Sequence, residues 1–138
     1  MALLPLGTLF SAVRIPGHLV IALTGSTEAS ELDEFLCHAL HGGPVICDPH
    51  HLRYYALVPA SMPRTWSQAV DDWRSLDVDC LGHGSWLGVP RVDAVECTRA
   101  RATCWSVPMG SAATLCRPLK VARLIAAGRH CMATELEE

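Results

Sequence analysis

Histidine, cysteine, arginine and tyrosine are the side chains best able to hold metals, phosphates or bases, and they crowd into one stretch of this chain. From Gly42 it reads Gly-Gly-Pro-Val-Ile-Cys-Asp-Pro-His-His-Leu-Arg-Tyr-Tyr-Ala-Leu-Val-Pro-Ala-Ser-Met-Pro, ending at Pro63. Zinc favours Cys and His, and Cys47-Asp-Pro-His50 and Cys80-Leu-Gly-His83 share one spacing. Were their two turns side by side, Cys47, His50, Cys80 and His83 would supply four ligands; the competing reading is histidines on ordinary surface turns. A cysteine nucleophile with a histidine base is a second option, and Cys47 beside His50 and His51 is the one thiol with a hint of the polar setting it needs. Asp77-Val-Asp79 would place two carboxylates on one strand face, where two-metal phosphoryl transfer begins. Asp71-Asp72 is the other acidic pair, and solvated residues ending a helix and entering a strand are the preferred reading of both. Arg53 and Tyr55, with His50, His51, Arg64, His83, Trp66 and Trp86, would make a platform for stacking and phosphate contacts. Against it stands an exposed hairpin with no ligand. Gly82-His83-Gly84 is not a phosphate loop, and no Walker or dinucleotide fingerprint occurs.

These residues need elements to position them. The run Pro44 to Cys47, the turn signal Asp48-Pro49 and the run Leu52 to Val58 form the pattern of a β-hairpin with a loop of four to five residues. Strand alternation puts Leu52, Tyr54, Ala56 and Val58 on the core side and Arg53, Tyr55 and Leu57 on the other. Upstream, Gly7 to Ile15 reads as a first strand and Pro16-Gly17 opens a short helix through Leu23. An amphipathic helix starts at Ser26 or Ser30 and runs to about Leu40, on the stripe Leu32, Phe35, Leu36, Ala39, Leu40. Ser30 and Asp33 resemble a capping box, and Gly42-Gly43 is the stop. Downstream, Thr65 to Leu76 offers a helical turn or two with Trp66, Val70 and Trp73 on one stripe, a spacing that suits core or lid packing. Asp77 to Leu81 and Ser85 to Pro90 flank Gly82-His83-Gly84 as a second predicted hairpin. Val92 to Arg101 is irregular, Ala102 to Val107 reads as a strand, and Ser111 to Leu115 as a helical turn. A last helix runs from Leu119 to Ala127 and stops at Gly128.

Composition narrows the class. The 138 residues are 50% hydrophobic and 18% charged, with a formal charge of −3, so one globular domain is expected, without the basic balance of a general nucleic-acid binder. The domain is placed at 1–130, followed by a frayed acidic tail at 131–138 carrying Glu135, Glu137 and Glu138. The opening residues lack a positive n-region and are read as a leader into the first strand; Leu19 to Leu23 is too short to cross a bilayer. The expectation is a soluble cytoplasmic protein. Seven cysteines, spread singly, read mostly as small buried hydrophobes and not as a disulfide framework. The expected architecture is α+β: a mixed or mostly antiparallel sheet of about five to six strands with helices on one face.

Three segments carry a resemblance: Gly43-Pro-Val-Ile-Cys-Asp-Pro49, Arg53-Tyr-Tyr-Ala-Leu-Val-Pro59 and Leu81-Gly-His-Gly-Ser-Trp-Leu-Gly-Val-Pro90. Together the chain from Gly7 to Leu124 resembles short actinobacterial proteins distantly similar to the N-terminal primase-polymerase domain of bifunctional DNA primase/polymerases. That resemblance implies an α+β domain of the archaeo-eukaryotic primase type, binding nucleotide and a divalent metal, Mg or Mn. The active family carries an acidic pair on an early strand, whereas Gly7 to Ile15 has no Asp or Glu. His51, ahead of Arg53-Tyr54-Tyr55, is the match to the family's histidine motif. Asp77 and Asp79 come too late in the chain for the first acidic pair.

The expectation is therefore a catalytically degenerate, non-catalytic binding or regulatory module for a nucleotide, a nucleic acid or a protein partner. Its candidate ligand residues are His50, His51, Arg53, Tyr55, Arg64 and His83, and it needs no cofactor. One alternative is a residual metal-dependent nucleotidyltransferase using Asp77, Asp79 and His51. Another is a small zinc-stabilised interaction protein. A homodimer follows if two of Trp66, Trp73, Trp86 and Trp105 prove exposed.

Overall fold

Strand and helix signals here are punctuated by proline and glycine, and the computed structural model, which describes residues 2–91, 94, 103–110 and 114–137, follows most of that punctuation. The elements run β1 (Ala2–Pro5), β2 (Ser11–Pro16), α1 (Gly17–Thr24), α2 (Ala29–Ala39), β3 (Val45–Asp48), β4 (Arg53–Val58), α3 (Met62–Thr65) and α4 (Ser67–Trp73). A 3₁₀ turn, Arg74–Leu76, leads to β5 (Asp79–Leu81), β6 (Trp86–Val89), β7 (Cys104–Val107) and α5 (Pro118–Glu137). Five strands form one sheet in the order β5-β2-β4-β3-β7, and β1 with β6 forms a separate two-stranded ribbon. Every pairing is antiparallel, which makes the fold α+β.

All the larger helices cover one sheet face. Leu19 and Val20 of α1, Leu32 and Leu36 of α2, Val70 and Trp73 of α4, and Val121, Leu124 and Ile125 of α5 pack with Val13, Ile15, Val45, Cys47, Tyr54, Ala56 and Val58. Tyr54, Ala56 and Val58 thus face the core as alternation requires. Leu52 does not. It ends the four-residue loop of the β3–β4 hairpin at a φ of +49° and is 43% exposed. Its carbonyl accepts a 2.7 Å bond from the Gly17 amide, and its side chain occupies the space a Cβ at residue 17 would need. The tight entry into α1 therefore depends on glycine.

The second sheet face is not bare. Ala12, Ile46, Leu57 and Trp105 form a smaller core there with Leu6 and Leu87 from the ribbon and its approach. Residues 2–5, expected only as a leader, are the strand that pairs β6 across Ala2–Val89 and Pro5–Trp86. The predicted second hairpin does not form either. β5 pairs with β2, β6 pairs with β1, and Gly82-His83-Gly84 is a crossing between two sheets. Turn residues mark a reversal or a crossing equally, and only the distant partner strand decides between them.

Three local expectations also change. Asp33 forms no capping box with Ser30; it accepts a hydrogen bond from Ser106 of β7, and Glu28 holds the N-cap position of α2 without a side-chain capping bond. Asp77 sits in a left-handed turn ending the 3₁₀ segment, so Asp77 and Asp79 do not share a strand face. Helix α5 runs on through Gly128 to Glu137, taking in most of the expected tail. Gly128 is a contact, not a stop: Leu19 lies where its Cβ would be. The expected irregular stretch Val92 to Arg101 and turn Ser111 to Leu115 fall largely outside the described residues.

Candidate functional site

The sheet register places a row of side chains across the strands on the face away from the helices. Asp79 is opposite Arg14, Arg14 opposite Tyr55, Tyr55 opposite Ile46, and Ile46 opposite Trp105. Arg14 Nη2 and Asp79 Oδ2 are 2.8 Å apart in a half-buried ion pair. One row toward the α1 end come Pro16, Arg53 and Asp48; toward the other end come Leu81, Ala12 and Leu57, beneath the ribbon. The face thus grades from apolar under the ribbon to charged at the hairpin loop.

A cavity of about 560 Å³ opens along that gradient. Arg14 and Tyr55 line it from the sheet, Asp48, His50 and His51 from the hairpin loop, and Leu3, Trp86 and Leu87 from the ribbon. Asp48 organises the loop side. Its Oδ1 accepts from the amides of His50 and His51 at 3.1 and 3.3 Å, while its Oδ2 lies 3.0 Å from His51 Nδ1. This is the Asx-turn chemistry expected of Asp-Pro. Trp86 is 63% exposed and lines the same cavity as the two histidines.

The structure divides the sequence-derived ligand set. His50, His51 and Tyr55 come together in this cavity. Arg64 and His83 line a different one, of about 410 Å³, on the far side of the Leu81–Ser85 crossing. Arg53 lies beside Asp48 in the register and lines neither. Sequence reasoning did not reach Arg14, Asp48 or Leu3. In the sequence Arg14 is a single charged residue in an apolar strand, and its place in the site comes only from Tyr55 and Asp79 on the flanking strands.

The four-ligand zinc arrangement is not assembled. Cys47 and Cys80 point into the helix-side core, whereas His50 and His83 lie in the two separate cavities. Among the described residues no three or more His, Cys, Asp or Glu side chains are grouped to hold a metal. Cys47 is no activated nucleophile. Burial, reinforced by the carboxylates of Asp33 and Asp48, pushes its thiol up to about 12. Burial likewise lifts Cys80 to about 11 and Cys116 to about 12. Cys37 is exposed, outside the buried majority, and Cys104 is disulfide-bonded, a crosslink that the scattered spacing of the cysteines does not lead one to expect. Of the four tryptophans, Trp73 and Trp105 are buried and Trp66 is half-buried, so the condition set for an aromatic dimer patch is not met. Among the described residues no helix is long and apolar enough to cross a membrane.

Fold and site together define an α+β domain with a ligand-sized cleft on its open sheet face. No known protein family, curated protein or solved structure matches the chain.

Proposed function

We propose that this domain is a non-catalytic binding module that takes a nucleotide or the end of a nucleic-acid strand on its open sheet face. One observation carries the reading: an exposed indole, Trp86, lines the same 560 Å³ cavity as Tyr55, His50, the Asp79-paired Arg14 and the Asp48-paired His51. A base stacks on an indole whatever its identity, and guanidinium and imidazole groups suit phosphate oxygens. The degenerate primase-polymerase likeness points the same way.

The absence of polymerase chemistry from this reading rests on spacing. Asp48 is on β3 and Asp79 on β5, with β4 and β2 between them. Three strand spacings place them roughly 14 Å apart, far beyond the ~4 Å separation of the ions in a two-metal site. Asp77, in the left-handed turn just ahead of β5, does not close that gap.

The test is a thermal-shift and tryptophan-fluorescence titration with nucleoside triphosphates and short single-stranded oligonucleotides, with and without Mg²⁺ or Mn²⁺. At a hundredfold excess over Kd the domain should gain about 2.7 kcal/mol. Trp86→Ala should weaken binding by about 1–3 kcal/mol. If neither nucleotides nor oligonucleotides alter melting or fluorescence, the reading fails and a protein partner takes its place.

A further inference from the structure

The second cavity has a different chemical character, and we propose that it is a separate binding site for a phosphate group. Its walls are Gly7 and Thr8 from the β1–β2 connection, Ala60, Ser61, Pro63 and Arg64 around the start of α3, and the Gly82–His83 turn. None of the lining residues is acidic, whereas the sheet-face cavity holds Asp48 and the surface depression on α2 holds Glu31 and Glu34.

The hydrogen-bonding balance is one-sided. The Ala60 carbonyl already accepts from the buried Ser11 hydroxyl at 3.1 Å. The Ser61 carbonyl accepts from the Arg64 and Thr65 amides and the Thr65 hydroxyl, and the Gly82 carbonyl from the Ser85 amide. These acceptors are satisfied internally. The side-chain donors are left facing the cavity and solvent: among the described residues Arg64 has no ion pair, the hydroxyls of Thr8 and Ser61 and the ring of His83 have no protein hydrogen-bond partner, and Thr8, Arg64 and His83 are exposed. A concave surface with free donors, one fixed positive charge and no carboxylate selects an anion.

The walls are also pre-set. Gly7 adopts a φ of +97°, and a Cβ there would stand 2.7 Å from the His83 amide nitrogen and 2.8 Å from its ring. His83 is therefore seated on bare backbone at the cavity edge. Pro63 lies 3.1 Å from the corresponding position at Gly82, closing the opposite side. With its backbone walls already in place, the site has only the exposed side chains of Thr8, Arg64 and His83 to order when a ligand arrives.

The site stands independently of the sheet-face reading. Its phosphate could belong to a small metabolite or to a nucleic-acid backbone, and two titrations separate these sources. Amide and imidazole NMR spectra would be followed with inorganic phosphate, then with a single-stranded oligonucleotide lacking terminal phosphates. Phosphate should perturb Thr8, Ser61, Arg64 and the Gly82–Gly84 amides while leaving His50 and His51 in place. Saturation by inorganic phosphate alone assigns the site to a free phosphoryl group, and saturation by the oligonucleotide too assigns it to a backbone. Arg64→Gln should weaken phosphate binding about tenfold, the loss expected for one charge-assisted hydrogen bond. His83→Gln should weaken it too, and Arg123→Gln, on the helical face, should not. Arg64 is exposed, so its variant should keep its fold, and an unchanged amide spectrum without phosphate checks this. Perturbations absent from these residues, or undiminished in Arg64→Gln, overturn the proposal.

Discussion

Replacing Gly128 by alanine sets two known effects against each other. Within a helix, alanine is favoured over glycine by about 1 kcal/mol. Here the new methyl would meet Leu19, standing 2.6 Å from its Cγ and closer still to Cδ2. Leu19 is fully buried in α1 between α5 and the sheet, so it cannot swing aside without moving neighbours in the main core. Overpacking of this kind costs about 1–3 kcal/mol. The net expectation for Gly128→Ala is a loss of about 1 kcal/mol, or roughly 4 °C in Tm at this chain length. Denaturant unfolding at constant m measures it. The decisive comparison is the same change in a Leu19→Ala background, where the obstacle is gone. There Gly128→Ala should become stabilising by about 1 kcal/mol, because only helix propensity remains. Stabilisation in the wild-type background would refute the close approach of α1 and α5.

Two further outcomes follow from the buried titrating groups. Under native conditions iodoacetamide should label the exposed Cys37, while Cys47 and Cys116, whose buried thiols are raised to about 12, should react only on unfolding; peptide mass spectrometry reads the order. Burial raises the Asp33 carboxyl above its ordinary 3.8, and the Ser106 hydroxyl offsets this only partly. The folded state thus holds that proton more tightly than the unfolded chain. The stability owed to Asp33 should grow as pH falls through its folded pKa and level off below 3.8. Subtracting the pH–stability curve of Asp33→Asn isolates this slope, and a flat difference would contradict it.

The parts of the fold legible in the sequence were those fixed by neighbours along the chain. The β3–β4 hairpin follows from Asp48-Pro49 between two strand-forming runs, and α2 from its apolar period. The inward set Tyr54, Ala56 and Val58 follows from strand alternation. What depended on distant partners was not legible. Trp86 to Val89 has the composition of a hairpin strand, yet its mate is Ala2–Pro5 and not Asp79–Leu81. Gly128 carries the same letter whether it ends a helix or admits Leu19. The site suffered from this most. Its histidines and Tyr55 could be nominated locally, but Arg14 becomes part of it only through register with Tyr55 and Asp79. Arg64 and His83 were separated from it by the sheet crossing at Gly82–Gly84.

The ribbon has a kinetic consequence. Leu3 pairs with Gly88, so the outer wall of the sheet-face cleft closes only after most of the intervening chain is in place. Contacts at such sequence separation are entropically costly to form, and ribbons of two strands hold weakly by themselves. The cleft should therefore be the last part of the domain to assemble and among the first to open in local fluctuations, while the five-stranded sheet beneath stays intact. Amide hydrogen exchange in β1 and β6 would then report how often the cleft stands open, separately from the stability of the whole domain.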